Sequence, residues 1–352
     1  MSGHSTIHRD RGSRMPRLAK PPTGFTLIEL MVAMLLGLIV VGGVISVFLA
    51  NQRTYRTNQA LGDVQGSSRI AFELMARDIR NAGLNPCNNG DRMANVLNNS
   101  ATDWWANWAN AVHGYSGNQG DPASGSVFGT AVGQRVAGTD SVQVLGAIDS
   151  GLSVAEDKEP AANFKLNDKT SDLQSGDIVI VCDPDHAVMV QISNYNNSTV
   201  TFVHNTGNTV NPGNCSKGLG YPSDCSSTNG NLYQFGNNSQ IAKLGAADWY
   251  IGNNPVKGRS LYRVALAAPD AKENLFLGTP QEMVRDVTGM VINYHAKGGT
   301  SFVTASAIAN WAVVDAVQVT LTLQSADQRA GTDVKPLTRT FTATTTVRNR
   351  VN

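Results

Sequence analysis

Between Phe25 and Ala50 almost every side chain is apolar, and Glu29 carries the only charge. As a helix this run would span roughly 39 Å at about 1.5 Å per residue, enough to cross a hydrocarbon core of about 30 Å. Polar residues return at 51–56 with Tyr55 among them, as where a helix leaves lipid. Beyond them the pattern turns amphipathic. Leu61, Val64, Ser68, Phe72, Met75 and Ile79 recur at steps of three and four, while Arg69, Glu73, Arg77, Asp78 and Arg80 fall largely on the other face. Asn81-Ala82-Gly83 then supplies a C-cap signal. The pattern predicts one helix over 25–82, about 87 Å long, with an apolar first half and a second half that docks on a globular head. A break near Gly62 or Gly66 is the other reading of the same positions.

From 84 to about 140 the chain is rich in Asn, Gly, Ser and Ala and reads as loop. Trp104, Trp105 and Trp108 sit at helical spacing there and predict a short helix with an aromatic face. That face is either core packing for an insertion on the head or a contact surface for another subunit or a carbohydrate. Strand patterns begin at 141–148 and recur at 177–182, 187–192, 199–204, 260–266, 287–295, 313–323 and 338–347. Val317, Val319, Leu321 and Leu323 alternate with Gln318, Thr320 and Thr322, the period of a half-buried antiparallel strand. Residues 194–238 are dominated by Asn, Gly, Ser, Thr and Pro and read as long polar loops. The order predicts an α+β fold: a long N-terminal helix on a mostly antiparallel sheet.

Length and a hydrophobic content of 41% permit a sizeable core. The net charge is +1, but Arg9, Arg11, Arg14, Arg17 and Lys20 precede the apolar run against one acid, Asp10. Residues 25–352 therefore hold 23 of the 28 basic and 26 of the 27 acidic side chains, a net charge of −3. That balance gives no support to a general nucleic-acid-binding surface. The basic leader places residues 1–24 on the cytoplasmic side and the bulk of the chain across the membrane. The four cysteines, Cys87, Cys182, Cys215 and Cys225, then lie in an oxidising compartment. Three pairings exist. Cys215 and Cys225 flank one Gly/Pro/Ser loop, which favours joining them and leaves Cys87 for Cys182. A zinc site is disfavoured because the sequence has no close cysteine pair.

The run Gly24-Phe25-Thr26-Leu27-Ile28-Glu29-Leu30-Met31-Val32-Ala33 resembles the class III leader junction of type IV pilins and type II secretion pseudopilins. The resemblance implies cleavage between Gly24 and Phe25 by a prepilin peptidase, N-methylation of Phe25, and use of Glu29 to place the subunit in a filament. A cut there frees an α-amino group on Phe25, with which the Glu29 carboxylate can pair in cis or on a neighbouring subunit. The small residue precedes the apolar run, opposite to a secretory signal. Unlike many relatives, the apolar helix has no proline, and Gly37, Gly42 and Gly43 are the candidate sites of local melting. Residues 173–181 with 187–192 are similar to the central hairpin of PilW-type minor pilins. Residues 287–294 and 314–321 are similar to PilW-type and minor pseudopilin J-type heads, whereas 84–140 and 194–254 match neither.

The expected organisation is a cleaved cytoplasmic leader (1–24), a long helix (25–83, with 25–50 transmembrane) and a periplasmic head (84–352). The resemblance implies a minor pilin in the inner membrane that primes a type IV pilus and sits at or near its tip on the cell surface. Its partners would be other minor pilins, the major pilin, prepilin peptidase, the inner-membrane assembly platform and a PilY-type tip adhesin, with no cofactor. The alternatives are a J-type minor pseudopilin of type II secretion and an adhesive tip module. No P-loop, Rossmann glycine fingerprint, H-E-x-x-H or G-x-S-x-G motif is present in the sequence. His4 and His8 leave with the leader; His113, His186, His204 and His295 are scattered. The densest polar group, Cys182-Asp183-Pro184-Asp185-His186, reads as turn chemistry or as metal ligands at Asp183, Asp185 and His186. Asp327 and Asp333 flank another turn. No enzyme is expected.

Overall fold

The computed structural model describes residues 24–87, 92–123, 128–273 and 277–350. The leader with its five cations, His4 and His8 lies outside them. The chain divides into two compact units between Tyr55 and Arg56, and helix α1 (Leu27–Arg80) runs through that point. It continues through Gly37, Gly42, Gly43, Gly62 and Gly66 without a break. In the first unit its side chains from Leu27 to Leu49 are exposed.

In the second unit α1 is followed by β1 (Met93–Asn95), β2 (Val112–Tyr115), β3 (Ser141–Lys158), β4 (Asn163–Leu166), β5 (Ile178–Cys182), β6 (Ala187–Gln191), β7 (Asn194–Asn196) and β8 (Thr201–Val203). Then come β9 (Gln240–Asn253), β10 (Arg259–Ala265), β11 (Gln281–Arg285), β12 (Val287–Ala296), β13 (Val303–Thr304), β14 (Val314–Gln324) and β15 (Thr338–Thr346). They form two sheets rather than one. The larger runs β1-β6-β5-β9-β3-β4-β8-β7, with β10 on β9, β11 on β10, and β2 on β3. The smaller runs β13-β12-β14-β15. Pairing is antiparallel throughout except where β1 meets β6. The architecture is α+β: a long N-terminal helix whose second half packs on a mostly antiparallel head.

The centre of the larger sheet is β9, which pairs with β3, β5 and β10. It lies in a region read as having no strand before residue 260, because Ala242, Gly245, Ala246, Ala247 and Asp248 have little strand preference of their own. Flanking strands on both sides impose the conformation. β3 runs well past the expected 148, because a bulge between Asp149 and Leu152 carries the pairing across Ser150-Gly151. Short strands β1 and β2 lie in the segment read as loop. In β14 the alternation holds: Val317, Val319, Leu321 and Leu323 are buried, and Gln318, Thr320 and Thr322 are partly exposed.

The buried stripe of α1 is Ala60, Val64, Ser68, Ala71, Met75 and Ile79, with Leu61 and Phe72 at its margin. Val64, Ala71, Met75 and Ile79 share one core with Val142, Val144, Trp249 and Ile251 of the larger sheet and Met290, Ile292, Val317 and Leu321 of the smaller. Polar contacts fix the helix against sliding. Asp78 accepts from Trp249 Nε1 at 3.1 Å and from Arg263 Nε at 2.9 Å, and Thr57 Oγ1 donates to Ala330 O at 2.6 Å. Past the helix end Gly83 takes φ +70°, the left-handed cap conformation, and its N–H donates to Leu145 O at 2.7 Å.

Gly146 is the tightest point of this seam, since a Cβ there would lie 2.6 Å from the Asn81 carbonyl oxygen. Gly146→Ala is therefore expected to destabilise the head by about 1–3 kcal/mol. The check is a lowered midpoint in thermal unfolding of the detergent-solubilised chain; an unchanged midpoint would mean that the seam yields freely.

Candidate assembly segment at the N-terminus

Gly24 and Phe25 lie outside α1 in irregular backbone, and the Phe25 side chain is 82% exposed. The bond between them is thus not protected by helical hydrogen bonding. Thr26 is the N-cap. Its carbonyl accepts the first helical bond, from Leu30 N at 3.2 Å, and its Oγ1 accepts from Glu29 N at 3.3 Å. Thr26-Leu27-Ile28-Glu29 has the form of a capping box, in which a hydroxyl residue and an acid three positions on serve the free N–H groups of the first turn. That signal is readable in the sequence, beside the ion-pair reading of Glu29. The acid also lies at the positive end of the helix dipole.

Downstream, α1 has no protein cover over its apolar half: Leu27 is 77% exposed and Phe48 65%. The helix is long and apolar enough to cross a membrane, and none of its most apolar window is buried. Ser46 Oγ returns its hydroxyl to Gly42 O at 2.9 Å, so this polar group is satisfied within the helix.

Residues 22–45 match the prokaryotic N-terminal methylation motif. No curated protein and no solved structure matches the chain. The motif supports a type IV pilin-like protein, pilin or pseudopilin, and suggests a structural rather than enzymatic chain. It implies processing by prepilin peptidase and assembly with other pilins. Together with the apolar helix it supports membrane anchoring before assembly into a surface pilus.

The other singled-out residues lie in the head. Cys87 is joined to Cys182 with Cα atoms 5.9 Å apart, tying the chain just after α1 to the end of β5. Cys215 is joined to Cys225, with Cα atoms 5.2 Å apart, within the polar loops. Trp108 opens a single 3₁₀ turn, Trp108–Asn110, in place of the expected α-helix. It is buried with Leu97, Leu145, Ile180 and Met189, and half-buried Trp104 and Trp105 pack against that group. The Asp183-Pro184-Asp185-His186 stretch forms the β5–β6 turn. Asp183 Oδ1 accepts from the N–H groups of Asp185 and His186 at 2.9 and 2.8 Å, and Oδ2 from Tyr233 Oη at 2.7 Å. Asp185 pairs with Arg92 at 2.8 Å, and His186 is buried against Leu219 O. Asp327 and Asp333 likewise cap their turns, accepting from Arg329 N and Lys335 N.

No local sequence pattern marks the buried titratable groups. Asp121 accepts from Ser141 Oγ and, at 2.6 Å, from Gln143 Nε2. Beside it Asp248 is fully buried, and burial, reinforced by the Asp121 charge, raises its carboxyl well above the usual range. Arg135, 1% exposed, donates to the carbonyls of Gln119, Ser116 and Thr139. Closed to solvent, this group ties the 115–139 segment to β3 and β9 and offers no access to a substrate. A second cluster holds Asp157 of β3, Glu159 and His204, with His204 Nε2 at 3.5 Å from Glu159 Oε1 and both side chains buried.

Burial pushes the Asp157 carboxyl up to about 7, Phe235 N–H partly opposes this, and the Glu159 charge adds to it. A carboxyl with a raised folded-state pKa holds its proton longer in the folded chain. Its contribution is present in acid and is lost as pH rises from the ordinary carboxylate range of about 4 towards 7. Asp157→Asn is expected to flatten the fall in thermal midpoint between pH 4 and 7 relative to the unsubstituted chain. Parallel curves for the two proteins would show that Asp157 does not titrate in this window.

Proposed function

We propose that the chain is a minor pilin of the PilW type. In this reading residues 1–24 are a cytoplasmic leader removed by prepilin peptidase, Phe25 is N-methylated, residues 25–50 cross the inner membrane once, and residues 84–352 form a periplasmic head. The observation that carries it is the joining of an exposed junction at Gly24 and Phe25, a first helical turn capped by Thr26 and carrying the acid Glu29, and an apolar helix half with no protein cover. Such a helix is stable in lipid. Once withdrawn it has to bury its surface against other helices of the same kind, and the first subunits of a filament lack such neighbours. A preformed cluster of minor pilins lowers that barrier.

Glu29 supports the same reading. A carboxylate near the end of an apolar helix is costly to leave alone, and cleavage at Gly24 creates the missing cation at Phe25, on the same or an adjacent subunit. The size of the head favours a terminal position over the repeating shaft, where each head must pack against identical copies.

Mass spectrometry of sheared, purified filaments is expected to yield a peptide of this chain beginning at N-methylated Phe25. An uncut chain confined to the membrane would overturn the reading, and a cut chain absent from surface filaments would favour a secretion pseudopilus instead. Glu29→Ala is expected to leave cleavage intact and reduce entry into the filament; undiminished entry would remove the charge pair from the mechanism.

A further inference from the structure

The smaller sheet ends, among the described residues, in two unlike edges. β13 is two residues long, whereas β15 is nine residues long and pairs with β14 in unbroken register from Ala316–Thr346 to Gln324–Thr338. Edge strands are commonly blunted by lysine, proline or a bulge. β15, Thr-Arg-Thr-Phe-Thr-Ala-Thr-Thr-Thr, has none of these and carries one charge, Arg339.

Two bonds fix which backbone groups face outward. Val347 N–H donates to Asp315 O and Ser325 N–H to Leu337 O, both at 2.8 Å, at opposite ends of the β14–β15 ladder. Antiparallel hydrogen bonding alternates along a strand. The odd-numbered residues of β15 therefore bond to β14, and Thr338, Thr340, Thr342, Thr344 and Thr346 aim their N–H and C=O groups at the open edge. All five are exposed, as is Arg339, whose guanidinium donates to Thr338 O at 3.1 Å at one end of the edge. On the outer face Thr342 Oγ1 lies 2.9 Å from Thr320 Oγ1, and Thr340 Oγ1 3.4 Å from Thr322 Oγ1, so the edge continues an uncharged threonine array.

We propose that β15 pairs, antiparallel and centred on Thr342, with β15 of a second copy of this chain. The occupant is argued from the strand's self-complementarity. A two-fold axis at Thr342 sets Thr342 against itself, Thr340 against Thr344 and Thr338 against Thr346, all of them pairs of residues whose backbone groups face the edge. On the inner face the same register sets Phe341 opposite Ala343, large against small, and Arg339 opposite Thr345 rather than against its own copy. Such an interface is isologous and closed, so it produces a pair and not a fibre. It does not depend on leader processing.

The test is oxidative cross-linking of the full-length chain in membranes, with copper phenanthroline as oxidant. All four native cysteines are already bonded, so an added thiol reports its own neighbour. A hydrogen-bonded antiparallel pair has Cα atoms about 5.5 Å apart, within disulfide reach. Thr342→Cys alone is expected to give a disulfide dimer. Thr338→Cys alone is expected to give none, because the two copies of residue 338 would lie about 27 Å apart, eight residues along the strand. Co-expressed Thr338→Cys and Thr346→Cys chains are expected to cross-link to each other. Absence of the Thr342→Cys dimer, equal cross-linking of Thr338→Cys alone, or capture of a different polypeptide at Thr342→Cys would each overturn the proposal. A dimer formed by a chain that also carries Glu29→Ala would show that the pairing stands whether or not filament entry fails.

Discussion

The joining of the head's two sheets depends on covering one helical stripe. Val64, Ala71, Met75 and Ile79 form a single core with residues of both sheets, so neither sheet has a complete hydrophobic face without α1. The stripe alone leaves rotation and sliding open, because hydrophobic burial is non-directional. Direction comes from Asp78, which receives Trp249 and Arg263 on one carboxylate oxygen, and from the close contact of Asn81 with Gly146. Apolar area supplies the driving force, and these few polar and steric contacts set the register.

The elements legible in the sequence are those whose local pattern and tertiary environment agree. α1 shows an apolar run followed by a stripe, and β14 alternates cleanly because one face is buried and the other wet. β9 was hidden for the opposite reason. Its Leu-Gly-Ala-Ala-Asp core resembles a loop, and only the strands on either side make it the centre of the larger sheet. The tryptophans differ again: Trp104 and Trp108 meet on one buried cluster, but Trp108 opens a 3₁₀ turn that does not include Trp104. At the N-terminus the junction was plain because all its parts are consecutive. The paired Asp121 and Asp248, and Glu159 with His204, are far apart in the chain, and no local pattern announces that folding brings them together.

The two units place their polar groups according to opposite needs. In the apolar half of α1, the Ser46 hydroxyl is satisfied by Gly42 O and the Glu29 N–H by Thr26 Oγ1, as a segment without water requires. In the head, titratable groups are buried deep, and Arg135 gathers four carbonyls, those of Tyr115, Ser116, Gln119 and Thr139. A buried polar group with its partners in place specifies one arrangement of the loops around it.

The shared core also sets a timetable. The stripe at Val64–Ile79 is synthesised early, whereas its cover from Val317 and Leu321 comes near the end of the chain. At about 5–20 residues per second the stripe waits on the order of 10–50 seconds for that cover. During that time the stripe has only the part of its cover that Val142, Val144, Trp249 and Ile251 supply. Contacts so distant in sequence also close slowly once the chain is whole. The nascent head thus keeps a partly bare apolar face until its last strands are made.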